Sequence, residues 1–432
     1  MADPDHPPPA PARLPPGRRA AAAAGVTAVA FPAARQLAAL PPLALYVHIP
    51  WCLRKCPYCD FNSHEAREPL PQAQYVDALI ADLEAALPLV WGRKVYTVFF
   101  GGGTPSLFDA DSIGRVLDAV RARLPLAAEA EITLEANPGT FEIERFRGFR
   151  AAGVNRLSIG VQSFETAHLQ ALGRVHDAHE ARTAVAAALD LFERVNVDLM
   201  YALPGQSAAQ AQRDVQTALA LGVRHVSAYH LTLEPNTYFH RYPPPLPDED
   251  TAADIEQHVH AALAAAGLER YEISAFAAPG HRARHNLNYW TFGDYLGIGA
   301  GAHSKLSLPQ RIFRQTRHRQ PAKFITSALA GDARASEDDV PDAQLGFEFM
   351  LNALRLIEGV PVALFSERTG LPIGRIGAAL DAAQARGLIE CDHQRLRPTG
   401  LGLQFQNDLL ELFMPAQAAA AAPGASPPRG ER

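Results

Sequence analysis

Between residue 43 and about residue 280, short apolar runs alternate with segments of helical periodicity. The predicted strands are 43–49, 95–100, 131–136, 156–161, 196–201 and 225–231, and helical segments between them include 75–87, 111–124 and 179–192. Alternation of this kind predicts an α/β fold with a parallel sheet and crossover helices. Six such units suit a curved, partial barrel, in which ligands collect at the carboxyl ends of the strands.

Three of the four cysteines follow directly after the first predicted strand. Cys52, Cys56 and Cys59 have the spacing C-x3-C-x2-C, whereas Cys391 lies far away in the sequence. One loop with this spacing can give three thiolates to a [4Fe–4S] cube and leave one iron open for an exogenous ligand. Disulfides are disfavoured because no clear export signal is present. A structural zinc site is disfavoured because it needs a fourth ligand, and His48 is poorly directed for that role.

Composition places the chain among soluble proteins with more than one domain. It has 432 residues, of which 48% are hydrophobic and 20% charged, and its formal net charge is −6. This mild acidity gives no general drive toward nucleic acid or an anionic membrane. No run of about 18 or more strongly apolar residues predicts a spanning helix. Residues 1–42 and 415–432 are rich in Pro and Ala and predict disordered tails.

Polar or small residues stand at the ends of successive predicted strands. Glycines 101–103 follow the second strand, and such residues let backbone amides approach a ligand closely. Glu135 and Gln162 end the third and fourth strands, and Asp198 lies inside an apolar run, where an unpaired acid is costly. One such residue is commonly structural. Several that face one cysteine loop indicate a shared polar ligand.

A second composition begins near Asp338, which divides the folded part into predicted domains 43–335 and 336–414. Segment 342–357 predicts an amphipathic helix, 361–369 and 372–386 continue the helical pattern, and 388–391 and 395–398 read as a small hairpin. This order predicts a winged-helix-like α+β domain. DNA binding is disfavoured because the second helix offers only Arg375 and Arg386 and carries Asp381. An accessory or docking role is favoured, and no nucleic-acid partner is expected.

Together these motifs resemble the radical S-adenosylmethionine superfamily and, within it, the oxygen-independent coproporphyrinogen III oxidase-like family. The resemblance covers about residues 43–413 and includes long motifs at 46–50, 101–106, 153–164, 172–176 and 285–290. It implies a partial (β/α)6-type barrel with a C-terminal accessory domain, a [4Fe–4S] cluster on Cys52, Cys56 and Cys59, and an electron donor for that cluster. It also implies that S-adenosylmethionine contacts Tyr46, Gly102, Gly103, Thr104, Glu135, Gln162, Arg174 and Asp198.

One position departs from the oxidase pattern. Oxidases of the family carry a further cysteine two residues after the third ligand, where this chain has Phe61. The run 57–63 and the motif 285–290 resemble instead the haem chaperones of the family. That resemblance implies haem as cargo and haem-requiring proteins as acceptors, including membrane-bound respiratory enzymes, with cluster and S-adenosylmethionine retained. Oxidase activity is then not expected, and oxidative decarboxylation of coproporphyrinogen III is the alternative function.

His285 is the candidate haem ligand, because imidazole is a common axial ligand and Tyr289 and Trp290 could pack the macrocycle. The alternative is that His285 satisfies a buried turn. His303 is a second candidate imidazole, in the small-residue stretch 297–303.

The basic run 311–319 could meet haem propionates or anionic lipid headgroups, although a solvated loop is favoured. An oxygen-sensitive cluster favours a cytoplasmic location, with peripheral association at the inner membrane as a variant of it. Homodimerisation, the haem acceptor and the mode of haem attachment are left open by the sequence.

Overall fold

The structure, a computed structural model, describes residues 36–66 and 69–415, without the side chains of 140–143. Most of both predicted tails, residues 1–35 and 416–432, therefore lies outside the described residues. The end of the first predicted tail packs on the folded unit. Leu37 is buried in it, and its amide N–H donates to the carbonyl oxygen of Pro309 at 2.8 Å.

Strands and helices alternate through most of the described chain. The strands are β1 (Leu43–Ile49), β2 (Trp51–Cys52), β3 (His64–Glu65), β4 (Val95–Gly102), β5 (Leu126–Ala136), β6 (Arg156–Gln162), β7 (Arg194–Tyr201), β8 (His225–His230), β9 (Glu269–Glu272), β10 (Ala275–Ala277), β11 (Asp294–Ile298), β12 (His303–Leu308), β13 (Arg311–Arg317), β14 (Arg334–Asp339), β15 (Val360–Pro361), β16 (Ile389–Cys391) and β17 (Arg395–Pro398). The helices are α1 (Gln72–Val90), α2 (Ala110–Arg123), α3 (Thr140–Ala152), α4 (Thr166–Ala171), α5 (Ala178–Leu191), α6 (Ala208–Ala220), α7 (Tyr238–Arg241), α8 (Glu249–Ala265), α9 (Arg284–Trp290), α10 (Pro321–Leu329), α11 (Asp342–Ala353), α12 (Val362–Thr369), α13 (Gly377–Ala385), α14 (Gly400–Gln404) and α15 (Gln406–Glu411).

One twelve-stranded sheet has the order β14-β13-β12-β11-β1-β4-β5-β6-β7-β8-β10-β9. From β11 to β8 every neighbouring pair is parallel, and the strands beyond them on both sides pair antiparallel. The six predicted strands are β1 and β4 to β8. The seventh parallel strand, β11, was not predicted, because its apolar run is short and leads into a stretch of glycine and alanine.

Alternation along each strand separates the core from the concave face of the sheet. In β1, Leu45, Val47 and Ile49 belong to the main hydrophobic cluster, which lies between the sheet and the helices. Tyr46 and His48 point the other way and line a cavity. Inward-facing residues of β4 to β8 line one further cavity together, which requires the sheet to curve. The predicted partial (β/α) barrel is thereby confirmed.

The C-terminal residues form the predicted winged-helix-like domain. Helices α11 to α13 surround a three-stranded sheet of order β15-β17-β16. Its hydrophobic cluster includes Phe349 and Phe365 and continues onto Phe292 and Ile312 of the barrel side. The third predicted helix is divided into a 3-10 turn, Ile373–Ile376, and α13, consistent with the low helix propensity of glycine at Gly377.

Residues 311–317 of the basic run form strand β13, so the prediction of a solvated loop was wrong for them, whereas His318 and Arg319 follow the strand. The three arginines of this strand form ion pairs within the protein, whereas Arg319 lines a cavity. Arg311 pairs with Glu337 at 2.8 Å, and Arg314 pairs with Glu348 at 2.5 Å. Of the helices in the described part of the chain, none combines the length and the hydropathy that crossing a bilayer requires.

Candidate cofactor site

The cysteine loop and the carboxyl ends of the parallel strands enclose a cavity of about 150 Å³, here called the loop cavity. Polar strand-end residues reach it because parallel strands end at one edge of the sheet. The structure brings together ten of the twelve predicted site residues on its lining: Cys52, Cys56, Cys59, Gly102, Gly103, Thr104, Glu135, Gln162, Arg174 and Asp198.

Asn62 ties the cysteine loop to the far side of the barrel. Its side-chain amide donates to the carbonyl oxygens of Ala300 and Arg319, both at 2.9 Å. Its own carbonyl oxygen lies 2.9 Å from Nε2 of His48. A Cβ at Gly301, where φ is +79°, would lie 2.3 Å from the Asn62 side chain, so this contact requires glycine there. The loop is therefore held in place before any cofactor binds.

Burial governs the acidity of the loop thiols. It raises the pKa of Cys52 to about 11, against a hydrogen bond with Thr104 that lowers it, and it also raises the pKa of Cys59. Metal binding to such thiols releases protons, because the ligand is the thiolate. Within residues 36–66 and 69–415 no three His, Cys, Asp or Glu side chains converge on a single-ion site. A cube differs from such a site, since it spreads its thiolate ligands over separate irons.

Arg174 supplies a positive charge at the loop. Gly173 precedes it with φ of +68°, and a Cβ there would lie 2.9 Å from the Pro57 ring, so the turn packs closely under the loop. The guanidinium donates to Cys56 Sγ at 3.5 Å and to Asn137 Oδ1 at 2.6 Å. Its Nε is buried without a hydrogen-bond partner among the described residues. A cation in this position stabilises thiolate and anionic ligands.

Two carboxyl groups face the loop cavity with raised pKa values. Burial raises the pKa of Glu135 to about 8, the charge of Asp198 adds to the rise, and Glu135 accepts a hydrogen bond from Gly102 N at 3.2 Å. Burial also raises the pKa of Asp198, which accepts from Asn196 at 2.8 Å and from Ser158 at 3.4 Å. These acids are poised to bind hydrogen-bond donors or a cation.

Gln162 adopts an uncommon backbone conformation at the end of β6, with φ of +71°. The pairing of β6 with β7 is irregular between Ile159 and Gln162. A non-glycine residue in this region costs about 1–3 kcal/mol and is commonly found at functional sites. The distortion places the Gln162 side chain on the lining of the loop cavity.

Two larger cavities adjoin the loop cavity at Glu135. The deep cavity, about 680 Å³, extends from Cys59 into the barrel. The mouth cavity, about 430 Å³, is the one lined by Tyr46, whose hydroxyl lies 3.0 Å from Nδ1 of His48. Burial raises the pKa of Tyr46, so this phenol stays neutral. Tyr46 shares the lining of the mouth cavity with Gly102 and Glu135, but it is not on the lining of the loop cavity.

His285 is not on the lining of any of these three cavities. Its Nδ1 lies 2.8 Å from Thr97 Oγ1 and its Nε2 lies 3.0 Å from the Tyr289 hydroxyl. The ring also stacks on Phe99, with 4.9 Å between ring centroids, and burial lowers its pKa to about 3. Iron ligation by His285 therefore requires one of these two hydrogen bonds to break.

His303 has the more accessible imidazole. It is exposed and lines the mouth cavity together with Tyr289, Tyr295 and Arg319. Burial and the nearby arginine charges lower its pKa, which favours the neutral form that binds iron.

Sequence reasoning missed three residues that build the site. Asn62 anchors the cysteine loop, and Asn137 anchors the Arg174 side chain. The sequence signal for both was their position beside motif residues that had already been singled out. Arg156 lines the deep cavity. The only sequence signal for this was that Arg156 lies six residues before Gln162 on β6 and therefore faces the same side of the sheet.

A partial barrel with a three-cysteine loop after its first strand defines a radical S-adenosylmethionine protein. The family model for the Radical SAM superfamily matches residues 46–218, and the model for the HemN C-terminal domain matches residues 340–405. The fold is similar to that of Escherichia coli coproporphyrinogen III oxidase, HemN, with a TM-score of 0.74 and 23% identity over 87% of this chain and 90% of that chain. At this identity the likeness concerns the fold alone.

More specific relatives cover almost the whole described chain. The chain is 50% identical to the heme chaperone HemW of Escherichia coli (strain K12), covering 87% of this chain and 99% of that protein. It is 44% identical to heme chaperone HemW of Haemophilus influenzae, over 87% and 98%. It is 37% identical to the mitochondrial radical S-adenosyl methionine domain-containing protein 1 of Bos taurus, over 85% and 86%. The chain belongs to the HemW family.

Proposed function

We propose that this protein is a haem chaperone: it binds a [4Fe–4S] cluster, S-adenosylmethionine and haem, and delivers haem to haem-dependent proteins. The observation that carries the proposal is its similarity, over nearly their full length, to relatives that are named heme chaperones. Phe61 supports it, because the oxidases of the wider family carry a cysteine at that position.

Cys52, Cys56 and Cys59 would hold the cluster, and the chain fits that role. All three thiols reach one cavity, and the Arg174 guanidinium lies beside Cys56 with a buried, unpartnered Nε. When bound, the cluster would supply an open iron and an electron. The protein would hold the loop in place through the hydrogen bonds of Asn62.

S-adenosylmethionine would lie in the loop cavity against the strand ends. Gly102 and Gly103 bring their backbone close to the loop, since a Cβ at Gly103 would lie 2.5 Å from the Trp51 carbonyl oxygen. Glu135 and Asp198 would accept hydrogen bonds from the amine and ribose hydroxyls. Thr104, Gln162, Arg174 and Tyr46 would complete the contacts.

Haem would occupy the larger cavities next to the loop cavity. Their aromatic and polar lining matches a ligand with an apolar macrocycle and anionic edges. His285 stays the candidate ligand suggested by its motif, and His303 is the candidate that the open cavity favours. We further propose that the acceptors include membrane-bound respiratory enzymes and that the protein acts from the cytoplasmic side.

The test is anaerobic reconstitution of the cluster followed by two parallel assays. Haem-loaded protein is mixed with an apo-acceptor, and transfer is followed by the acceptor's absorbance. The same preparation is given coproporphyrinogen III with a reductant and S-adenosylmethionine. We expect stoichiometric transfer and no decarboxylation. Sustained turnover of coproporphyrinogen would reject the chaperone proposal in favour of the oxidase.

A further inference from the structure

Arg156 is a buried cation that forms no direct hydrogen bond or ion pair in the described part of the chain. Its exposed fraction is 3%. Arg317, the other buried arginine in the described ranges, differs from Arg156 because it pairs with Asp82 at 2.7 Å. Arginine stays protonated in proteins, and a buried charge without a partner is costly. An anionic ligand would compensate this charge.

The guanidinium faces a space large enough for that ligand. Arg156 lines the deep cavity, which runs without interruption to Tyr58 and Cys59 of the cysteine loop. Asn286, directly after His285, lines the same cavity, and its side-chain amide has no hydrogen-bond partner among the described residues. A guanidinium and an amide N–H₂ are the donors that bind a carboxylate.

The nearby acids form no direct ion pair with this charge. Glu135 and Asp198 line the same cavity, and the Arg156 charge lowers the pKa of both, but neither carboxylate lies within 4.0 Å of the guanidinium nitrogens. The neighbouring arginine on β7 is different, because Arg194 pairs with Glu131 at 3.2 Å. Burial also raises the pKa values of Glu135 and Asp198, which reduces their negative charge.

Arg156 lies at the end of β6 that is far from the cysteine loop. Arg156 begins the strand and Gln162 ends it, on the same face. At about 3.3 Å per residue their α-carbons lie roughly 20 Å apart. The methionine carboxylate of S-adenosylmethionine, held at the cysteine loop, is therefore a different group from one held at Arg156. Of the ligands in the proposed function, haem brings the remaining carboxylates, its propionates.

We propose that Arg156 is a ligand-binding residue that receives a carboxylate, a haem propionate, at the deep end of the barrel cavity. The inference rests on the proposed function and adds the orientation of the cargo, with one propionate toward the base of the barrel. The bound propionate would accept hydrogen bonds from the guanidinium, and Asn286 would add a further donor.

The test compares the wild type, Arg156→Gln and Arg156→Lys as full chains with reconstituted cluster. Arg194→Gln is the matched control, since it removes a paired arginine of the adjacent strand that does not line the cavity. Each protein is titrated anaerobically with haem, with haem dimethyl ester and with S-adenosylmethionine. Loss of a charge-assisted hydrogen bond predicts haem affinity about 10- to 100-fold weaker in Arg156→Gln. Arg156→Lys should retain part of the affinity.

Two further results distinguish a ligand contact from a structural role. The ester should bind the wild type about as weakly as haem binds Arg156→Gln, and the substitution should not weaken ester binding further. Without ligands, Arg156→Gln should unfold at the same or a higher temperature than the wild type, because it removes an unpaired buried charge.

Each alternative outcome has a definite meaning. Unchanged haem affinity in Arg156→Gln, or an equal loss for haem and its ester, would overturn the inference while leaving the chaperone proposal intact. Weakened S-adenosylmethionine binding with unchanged haem binding would also overturn the inference, because the carboxylate that Arg156 binds would then belong to the methionine group. If the wild type binds no haem, the proposed function fails first, and the propionate assignment fails with it.

Discussion

Glu135 allows a quantitative test of the electrostatics of the loop cavity. Its pKa is raised from 4.5 to about 8, chiefly by burial, and its hydrogen bond from Gly102 N is 3.2 Å long. The substitution Glu135→Gln keeps the size and the accepting oxygen but removes the ionisation. The variant therefore isolates the free energy that the buried carboxylate costs the ligand-free protein.

The sign follows from proton linkage. Between pH 4.5 and about 8 the unfolded chain gives up the Glu135 proton while the folded chain keeps it. The wild type therefore loses stability as pH rises through this window, relative to the variant, and loses no more above it. At about 1.4 kcal/mol per pH unit, the full effect is about 5 kcal/mol. The carboxyl group borders a cavity that admits water, so we expect about half of that, or 2–3 kcal/mol.

The assay is thermal unfolding of ligand-free wild type and Glu135→Gln at pH 5 and pH 9. The two proteins should unfold together at pH 5, and the variant should unfold a few degrees higher at pH 9. Glu129→Gln is the matched control, because it makes the same substitution at an exposed glutamate of the same strand, outside the cavity. A variant that is less stable than the wild type at pH 9, or a difference independent of pH, would refute the reasoning.

Three other substitutions test separate parts of the structure. Cys52→Ser should abolish most iron incorporation, measured by iron and sulfide analysis, whereas the control Cys391→Ser should leave it unchanged. Normal iron content in Cys52→Ser would contradict the ligand assignment. Asp82→Ala breaks a buried ion pair with Arg317 and should lower the free energy of unfolding by about 3–5 kcal/mol in denaturant titration, and a loss under about 1 kcal/mol would show that the pair is dispensable. His285→Ala should weaken haem binding with cluster absorbance intact, and an unchanged haem titration removes that residue from the site.

The parallel strands were predictable because both of their faces are covered. Such strands form nearly continuous apolar runs, and predicted strand 43–49 coincides with β1. Strand β14 shows the opposite case, since its six residues are all exposed and mostly charged. It is a strand through its pairing with β13, where Thr316 faces Ser336 and Gln315 faces Glu337. No local pattern carries that information.

The convergence of site residues was predictable for the same topological reason. Residues at the carboxyl ends of parallel strands meet at one edge, whatever the sequence distance between them. His285 lies outside this rule, because it belongs to a short helix that packs against β1, β4 and β11. Its two ring partners are a threonine 188 residues away and a tyrosine one helical turn ahead. Motif resemblance pointed to the residue, but only the packing shows that both nitrogens are engaged.

Charge compensation is the property that the sequence hides most completely. Arg156 and Arg317 each lie at one end of a strand, and both are buried. Arg317 is neutralised by Asp82, 235 residues away, and Arg156 has no direct hydrogen bond or ion pair in the described chain. The sequence can indicate that an arginine points inward, but the partner of a buried charge is set by the whole fold. An inward arginine that the fold leaves unpaired is therefore a stronger indication of a ligand than any local motif around it.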